Sequence, residues 1–279
     1  MYRLYYNKKA CGQQFVGVEN LIMRIESVAH RQPLETLAPA GRIGVIALAT
    51  DFNIEQDLRR IYPESVEIFT SRVRNTNPLT IENLRSMAPG IGAAADTILP
   101  GTELDAMIYA CTSGTVAIGI ERITELVHQT RPGVPVTNPV TAALAAFEQF
   151  EARRISILTP YTQAVNEGVA ELFESKGLEV LNIAGFDFED DTAMTFISPQ
   201  DIADAAVDAC DPAADLLFVS CTALRASLVI EQIEQRLGKP VVSSNQALAW
   251  HSLQLVNYPE TVPGFGSLLS RIASARSGA

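Results

Sequence analysis

Two cysteines of this chain follow apolar runs that match each other within an internal repeat. Cys111 follows AMIYA and precedes TSG, and Cys221 follows LLFVS and precedes TAL. A thiolate can remove a proton from carbon, or it can add to a double bond as a nucleophile. Two thiols on opposite sides of one small molecule could exchange a proton between its faces, or combine addition with protonation. The pair therefore predicts an isomerase or a racemase.

The repeat consists of three blocks that recur in the same order at a nearly constant offset. RIGVIALATDF at 42 aligns with RISILTPYTQA at 154, and DAMIYACTSGT at 105 aligns with DLLFVSCTALR at 215. GVPVTNPV at 133 aligns with GKPVVSSN at 238. Such self-similarity predicts two alike halves, with the site between them.

From Arg42 onward, short β-branched runs alternate with helical patterns, which is typical of βαβ units and parallel sheets. We predict an α/β fold of two pseudo-symmetric domains, each with a parallel β-sheet flanked by helices, and an active site at the domain interface. The predicted helices include 80–99 and 116–129, and the predicted strands begin at 42, 66, 106, 134, 154, 178, 216 and 240. The predicted boundaries are 1–40 for an N-terminal extension, 41–150 and 151–250 for the halves, and 251–279 for a segment returning to the first half.

The ends of parallel strands are where open α/β sheets bind ligands, and a following helix places unpaired N–H groups there. These groups are expected to lower the pKa of Cys111 and Cys221 from about 8.5 toward neutrality. The alternative is that both are small buried hydrophobes. Cys11 and Cys210 have no partner in the repeat, so we expect structural roles for them.

Further polar candidates flank these strands. Asp51 and Tyr161 follow the first strand of each half, although Asp51 also suits a helix cap and Tyr161 an ordinary turn. Arg72 and Arg74 could pair with a second substrate carboxylate, with surface solvation as the alternative. His251 is a weaker candidate, because a histidine within a helix more often has a structural partner.

Composition excludes several classes of function. The 279 residues contain 21 Lys and Arg against 32 Asp and Glu, a net charge of -11 that disfavours nucleic acid and anionic membranes. The sequence shows no secretory or membrane-spanning apolar stretch, so we expect a cytoplasmic protein with free thiols. Three scattered histidines and the lack of a CxxC motif argue against a zinc site. The charged segment 186–201 is interpreted as a solvated connection rather than a lid.

At these residues the sequence resembles the aspartate/glutamate racemase superfamily. The resemblance is to the branch of maleate cis-trans isomerases, arylmalonate decarboxylases and the ectoine-utilisation protein EutA. Its carriers are YACTSG, PYTQAVNEG, FVSCTALR and GKPVVSSNQALAW, and ATDFNIEQDL and SNQALAWHSL resemble EutA most. The resemblance covers about Arg42 to Leu255 and implies two pseudo-twofold domains without metal or organic cofactor. It makes Cys111 and Cys221 the catalytic pair, with substrate contacts from Thr112, Ser113, Tyr161, Asn166 and Thr222.

Two features refine this implied function. Decarboxylases of the branch replace the first cysteine with glycine, so the presence of Cys111 disfavours decarboxylation. Maleate isomerases typically carry an asparagine where Asp51 aligns, and a carboxylate there would repel a dianion but pair with an ammonium group.

We therefore expect a cofactor-independent racemase or isomerase that acts on a small carboxylate, an amino acid or its derivative, by a two-cysteine mechanism. We expect it to be EutA-like and to serve ectoine catabolism. The alternatives are a maleate cis-trans isomerase acting by thiolate addition, an arylmalonate-type decarboxylase, and a carboxylate-binding protein without turnover. The sequence does not determine the oligomeric state, and a homo-oligomer is one of the possibilities.

Overall fold

The computed structural model describes residues 26–271 of the chain. The chain divides into two compact units, Met1–Thr36 and Leu37–Ala279. Every helix and strand given below belongs to the second unit. Most of the predicted N-terminal extension, including Cys11, lies outside the described residues.

Two parallel sheets of four strands form the framework. The first has the order β2-β1-β3-β4 and the second the order β6-β5-β7-β8, so the strands of the two halves correspond one to one. This correspondence confirms the predicted fold class of two similar α/β halves. The strands are β1 Gly41–Leu48, β2 Val66–Val73, β3 Ala106–Ala110, β4 Val136–Thr137, β5 Arg154–Thr159, β6 Glu179–Gly185, β7 Leu216–Val219 and β8 Val241–Ser243.

Helices cover both sheets. Those before β5 are α1 Ile54–Ile61, α2 Ile81–Arg85, α3 Ala88–Asp96, α4 Thr112–Ile118, α5 Ile120–His128 and α6 Pro139–Gln149. Those after it are α7 Gln163–Ser175, α8 Asp191–Met194, α9 Pro199–Ala209, α10 Ile230–Leu237 and α11 Ser244–Leu255, with 3₁₀ turns at Ala226–Leu228 and Leu269–Arg271. Within residues 26–271, no helix is long and apolar enough to cross a membrane.

Two helices predicted as continuous are divided in the structure. The helix predicted over 80–99 becomes α2 and α3, because Pro89 lacks an N–H and instead occupies the first turn of α3. The helix predicted over 116–129 becomes α4 and α5, which are separated by Gly119 at a φ of 99°. This positive φ is costly for any other residue, so glycine allows the chain to change direction between the two helices.

The core runs across both halves. The central strands β1 and β5 are buried over most of their length, as expected for strands covered on both faces. Phe147 of α6 contacts Phe173 of α7 and Phe218 of β7, with ring centroids 5.6 and 5.4 Å apart. These aromatic contacts join the first half to the second, which keeps the two sheets in a defined relation.

Helix α11 follows the last strand of the second sheet but contacts the first half. The Tyr62 and Ser252 hydroxyl oxygens lie 2.6 Å apart, and Thr137 Oγ1 lies 2.8 Å from His251 Nδ1. After this helix, the backbone N–H of Ser267 donates to Glu234 of α10, at 2.9 Å. The chain thus crosses to the first half within α11 and contacts the second again near Ser267, while the domain boundaries themselves stay predictions.

Candidate active site

Cys111 lies at the N-terminus of α4, directly after the buried strand β3. Its side chain is 3% exposed, and its sulfur accepts a hydrogen bond from the backbone N–H of Gly114 at 3.2 Å. The Ser113 hydroxyl oxygen lies 3.7 Å from the same sulfur. Glycine is required at 114, because a Cβ there would lie 2.6 Å from Tyr109 Oη and 2.9 Å from Cys111 Sγ.

Cys221 follows β7 in a strained backbone conformation, with a φ of 137°. The backbone N–H of Ala223 donates to its sulfur at 3.4 Å. No α-helix starts directly after Cys221, since α10 begins only at Ile230, and the predicted strand-cysteine-helix pattern is therefore wrong in the second half. The carbonyls that would start such a helix, those of residues 222 and 224, instead accept from Asn53 Nδ2, each at 3.1 Å.

One serine connects the two cysteine loops. The Ser244 hydroxyl at the start of α11 is fully buried and accepts from the backbone N–H of Cys221 at 3.0 Å. The same oxygen lies 2.9 Å from Thr112 Oγ1, on the residue that follows Cys111. A single side chain therefore sets the spacing between the two thiol-bearing loops.

A buried polar network supports the Cys221 loop from the first half. Asp57 of α1 is fully buried, and its Oδ2 accepts from Asn53 Nδ2 at 3.0 Å and from Asn245 Nδ2 at 2.9 Å. Asn245 also donates to the carbonyl of Thr222 at 2.9 Å. The predicted site residues did not include Asn53, Asp57, Ser244 or Asn245, although all four lie in the segments that carry the EutA likeness. Their motif was the available signal.

Asp51 has the capping role that was its alternative interpretation. Its Oδ1 accepts from the backbone N–H groups of Asn53 and Ile54, at 2.7 and 2.9 Å. Its Oδ2 accepts from Thr222 Oγ1 of the other half, at 2.9 Å. Burial raises the pKa of this carboxyl, and the hydrogen bonds from Ile54 and Asn53 partly oppose the shift. Asp51 therefore both caps α1 and joins the two halves beside Cys221.

Two of the predicted substrate contacts, Thr112 and Thr222, have hydroxyls committed within the protein. Thr222 donates to Asp51, and Thr112 is paired with Ser244. Tyr161 is 1% exposed, and its hydroxyl makes no hydrogen bond of good geometry with the described residues, although the side chains of Cys221 and Ser220 lie close to it. Burial raises its pKa well above the ordinary value, and the neighbouring Cys221 and Cys111 add to the shift. Tyr161 therefore lies near both thiols, with a hydroxyl that a substrate oxygen could engage in better geometry.

Both polar atoms of the Asn166 side-chain amide form hydrogen bonds within the protein. Its Oδ1 accepts from Thr159 Oγ1 at 2.6 Å, and its Nδ2 donates to the carbonyl of Tyr161 at 3.2 Å. It lines a cavity of about 460 Å³ together with Tyr161, Gly185 and Asp187. Its direct effect is thus to hold the turn that carries Tyr161.

The acidity expected of the thiols is wrong in direction. Burial raises the pKa of Cys111 to about 12, with a further contribution from Asp191, while the Gly114 N–H opposes the shift. Burial and Asp191 also raise the pKa of Cys221. Desolvation exceeds the effect of one short helix, so both thiols are neutral near pH 7 in this closed site.

Asp191 is the further acidic group at the site, and it comes from the segment predicted to be a solvated connection. It is only 6% exposed, and its Oδ2 accepts from Thr50 Oγ1 at 2.5 Å and from Asn75 Nδ2 at 3.3 Å. The Leu79 N–H donates to the carbonyl of Glu189 at 2.8 Å. This part of segment 186–201 is therefore tied to the first half, contrary to the prediction.

The remaining candidates have structural partners or face solvent. Arg72 donates to the carbonyls of Leu48 and Asp51, at 3.0 and 2.8 Å, and pairs with Glu55, so it braces the turn after β1. Arg74 is exposed. His251 is satisfied by Thr137, and burial lowers its pKa.

Two other predictions concern metal sites and free thiols. Cys111, Cys210 and Cys221 are all free. Over residues 26–271, no group of three or more His, Cys, Asp and Glu is arranged to hold a metal ion.

Comparison with curated proteins finds relatives of two activities. A maleate isomerase from Alcaligenes faecalis is 23% identical over 249 residues, covering 83% of this chain and 97% of that protein. An arylmalonate decarboxylase from Bordetella bronchiseptica is 28% identical over 178 residues, covering 63% of this chain and 71% of that protein.

Comparison with solved structures confirms the fold. A Pseudomonas putida S16 maleate isomerase variant with maleate has a TM-score of 0.76 at 23% identity, covering 82% of this chain and 97% of the other. A Nocardia farcinica maleate cis-trans isomerase mutant with a covalently bound succinylcysteine intermediate has a TM-score of 0.75 at 21% identity, covering 82% and 98%. The sequence profile described as arylmalonate decarboxylase matches residues 91–269, well over half of the protein, and the chain therefore belongs to the arylmalonate decarboxylase family.

Proposed function

We propose that this chain is a cofactor-independent cis-trans isomerase of a small unsaturated carboxylate, working by thiolate addition. The observation that carries the proposal is the pair of buried thiols, Cys111 and Cys221, contributed by equivalent strands of the two halves. Relatives named as maleate isomerases, one with a covalent succinylcysteine in its structure, support this choice over amino acid racemisation.

Cys111 is the better nucleophile of the pair. It lies at the start of α4, where the Gly114 N–H points at its sulfur and stabilises negative charge. The backbone N–H that reaches the Cys221 sulfur, from Ala223, is more distant at 3.4 Å, so negative charge is better stabilised on Cys111. Cys221 then stays protonated and acts as the proton donor.

The proposed reaction has two symmetric stages. Cys111 first releases its proton to solvent, and its thiolate then forms a C–S bond to one alkene carbon while the π electrons take the proton of Cys221 at the neighbouring carbon. The resulting C–C single bond rotates. The Cys221 thiolate then removes a proton from the same carbon, the C–S bond breaks, and the alkene forms again in the trans geometry.

The substrate carboxylate is proposed to bind at Tyr161 and Ser113. The Tyr161 hydroxyl is buried beside Cys221 and Ser220 without a hydrogen bond of good geometry to any described residue, and an unsatisfied buried donor costs about 1–3 kcal/mol. A carboxylate oxygen would satisfy it within reach of both thiols. The Ser113 hydroxyl beside Cys111 is the second donor.

Incubation of the purified protein with cis-butenedioate and its monoamide tests the proposal, with NMR detection of the trans products. We expect isomerisation by the wild type and a substrate-mass adduct on Cys111 in Cys221→Ser. Abolition of isomerisation in Cys111→Ser is also expected. An adduct confined to Cys221, or turnover that survives in both variants, would contradict the assignment.

Amino acid racemisation remains a second candidate because Asp51 presents a carboxylate beside Cys221. In this case both thiols would exchange the α-proton, and substrate incubated in D2O would gain deuterium without any covalent adduct. The EutA likeness and a role in ectoine catabolism belong to this candidate. Deuterium exchange into an amino acid, together with inert unsaturated acids, would favour it over the isomerase.

A further inference from the structure

Asp191 and Asp51 reach the site from opposite halves of the molecule. Asp191 Oδ2 accepts from Thr50 Oγ1, and the next residue along the chain is Asp51. Asp51 Oδ2 in turn accepts from Thr222 Oγ1, on the residue that follows Cys221. This chain of contacts places two buried carboxyl groups next to the loop that carries Cys221.

The electrostatics agree with this placement. The charge of Asp51 contributes to raising the pKa of Asp191, after the larger effect of burial. Asp191 is also the leading charged contributor to the raised pKa of Cys111 and of Cys221. The two carboxyls are therefore close to each other and to both sulfurs.

Cationic side chains do not balance these groups directly. Among the described residues, no Lys or Arg side chain forms a hydrogen bond or ion pair with either carboxyl group. Arg72, whose charge acts on Asp51, directs its guanidinium to the backbone and to Glu55. A dicarboxylate substrate would thus place one of its own charges near two acidic groups.

We propose that Asp51 and Asp191 select a substrate that carries an N–H donor, an ammonium or a carboxamide, where a dicarboxylate has its second carboxylate. This inference rests on the proposed function and names the substrate class of that same site. The N–H group binds to the free acceptor positions of the two carboxyls.

Tyr161 supplies the complementary donor. Its buried hydroxyl lies near both thiols without a hydrogen bond of good geometry to the described part of the chain, so it offers a donor to one carboxylate. A donor at Tyr161 and acceptors at Asp51 and Asp191 match a substrate with one carboxylate and one N–H group. Such a group beside Asp191 also reduces the negative field that opposes thiolate formation.

The test compares maleate with its monoamide, maleamate, in the wild type and in Asp191→Asn. We expect the wild type to favour maleamate at least tenfold in kcat/KM. Asparagine has nearly the same shape as aspartate but no charge, so Asp191→Asn should shift this preference at least tenfold toward maleate. Asp51→Asn should shift it in the same direction and serves as a second variant should Asp191→Asn fold poorly.

Glu189→Gln is the matched control, because Glu189 lies in the same segment but is exposed. Removing its charge should leave the preference within twofold of the wild type. A wild type that favours maleate overturns the inference, as does an unchanged preference in both Asp variants. Maleate binding with proton uptake also overturns it, because the carboxyls would then act as neutral donors.

Binding of saturated analogues separates this inference from the proposed function. If the wild type turns over neither substrate, the isomerase proposal fails, and calorimetry with succinate and succinamate still measures the charge preference. Tighter binding of succinamate, reduced in Asp191→Asn, supports the inference. Tighter binding of succinate, or no difference between the two, overturns it.

Discussion

Replacing Ser244 with alanine should separate the stability of this fold from its catalytic geometry. The Ser244 hydroxyl is fully buried and lies between Thr112 and the backbone N–H of Cys221, at 2.9 and 3.0 Å. Its removal leaves both partners buried without this contact. Because each of the two unsatisfied buried groups costs about 1–3 kcal/mol, the free energy of unfolding should fall by about 2–6 kcal/mol. A domain in the middle of the usual range of about 5–15 kcal/mol remains folded after such a loss.

The catalytic effect should be larger than the stability loss alone explains. Displacement of one cysteine loop by about 1 Å can cost about 100-fold in rate, so we expect a loss of that order in kcat for Ser244→Ala. Alkylation of Cys111 and Cys221, followed by mass spectrometry, provides a readout that needs no substrate. It should become faster in the variant, because the loops are held less tightly.

Ser252→Ala is the matched control for this experiment. Ser252 lies in the same helix, is also fully buried, and also reaches the first half, with its oxygen 2.6 Å from Tyr62 Oη. It should lose about 1–2 kcal/mol of stability in urea unfolding while kcat and alkylation rates stay within about twofold. If Ser244→Ala retains the kcat of Ser252→Ala, Ser244 does not set the spacing of the thiol loops.

Three further predictions concern Cys111 and its surroundings. Gly114→Ala should lower activity, and it should lower the free energy of unfolding in urea by about 1–3 kcal/mol, because the new Cβ meets Tyr109 Oη. Gly168→Ala is the control: its Cβ would meet nothing nearer than 3.5 Å, so the same urea unfolding assay should show a neutral or stabilising effect. Since the pKa of Cys111 is about 12, kcat/KM should rise about tenfold per pH unit between about pH 7 and 10, and a plateau below about pH 8 would refute the role of its thiolate. The pKa of Cys111 in the folded protein also exceeds the ordinary 9.0, so the folded state holds this proton more tightly than the unfolded state does. The free energy of unfolding should therefore fall as the pH rises from 9.0 to about 12, by about 1.4 kcal/mol per pH unit. Denaturant titrations of Cys111→Ser should show a shallower decline.

The sequence alone was enough to predict the architecture and to show that Cys111 and Cys221 follow equivalent strands. Burial of β1 and β5 on both faces requires continuous apolar runs, and the matching runs around Cys111 and Cys221 mark equivalent strands. These are local patterns, which can be recognised from the sequence alone. Pro89 and Gly119 are sequence signals for the two helix breaks as well. We nevertheless predicted continuous helices there, because the apolar periodicity continues on both sides of each residue.

Only the tertiary structure decided which polar groups are available and how acidic the thiols are. Thr112 and Thr222 have the residue type of a carboxylate donor, yet Ser244 and Asp51 already occupy their hydroxyls. Asp191 looked like part of a solvated charge run until its contact with Thr50, 141 residues away in the chain, buried it. Desolvation and such distant charges control the pKa of a thiol, and both depend on how the halves pack rather than on the residues adjacent to it.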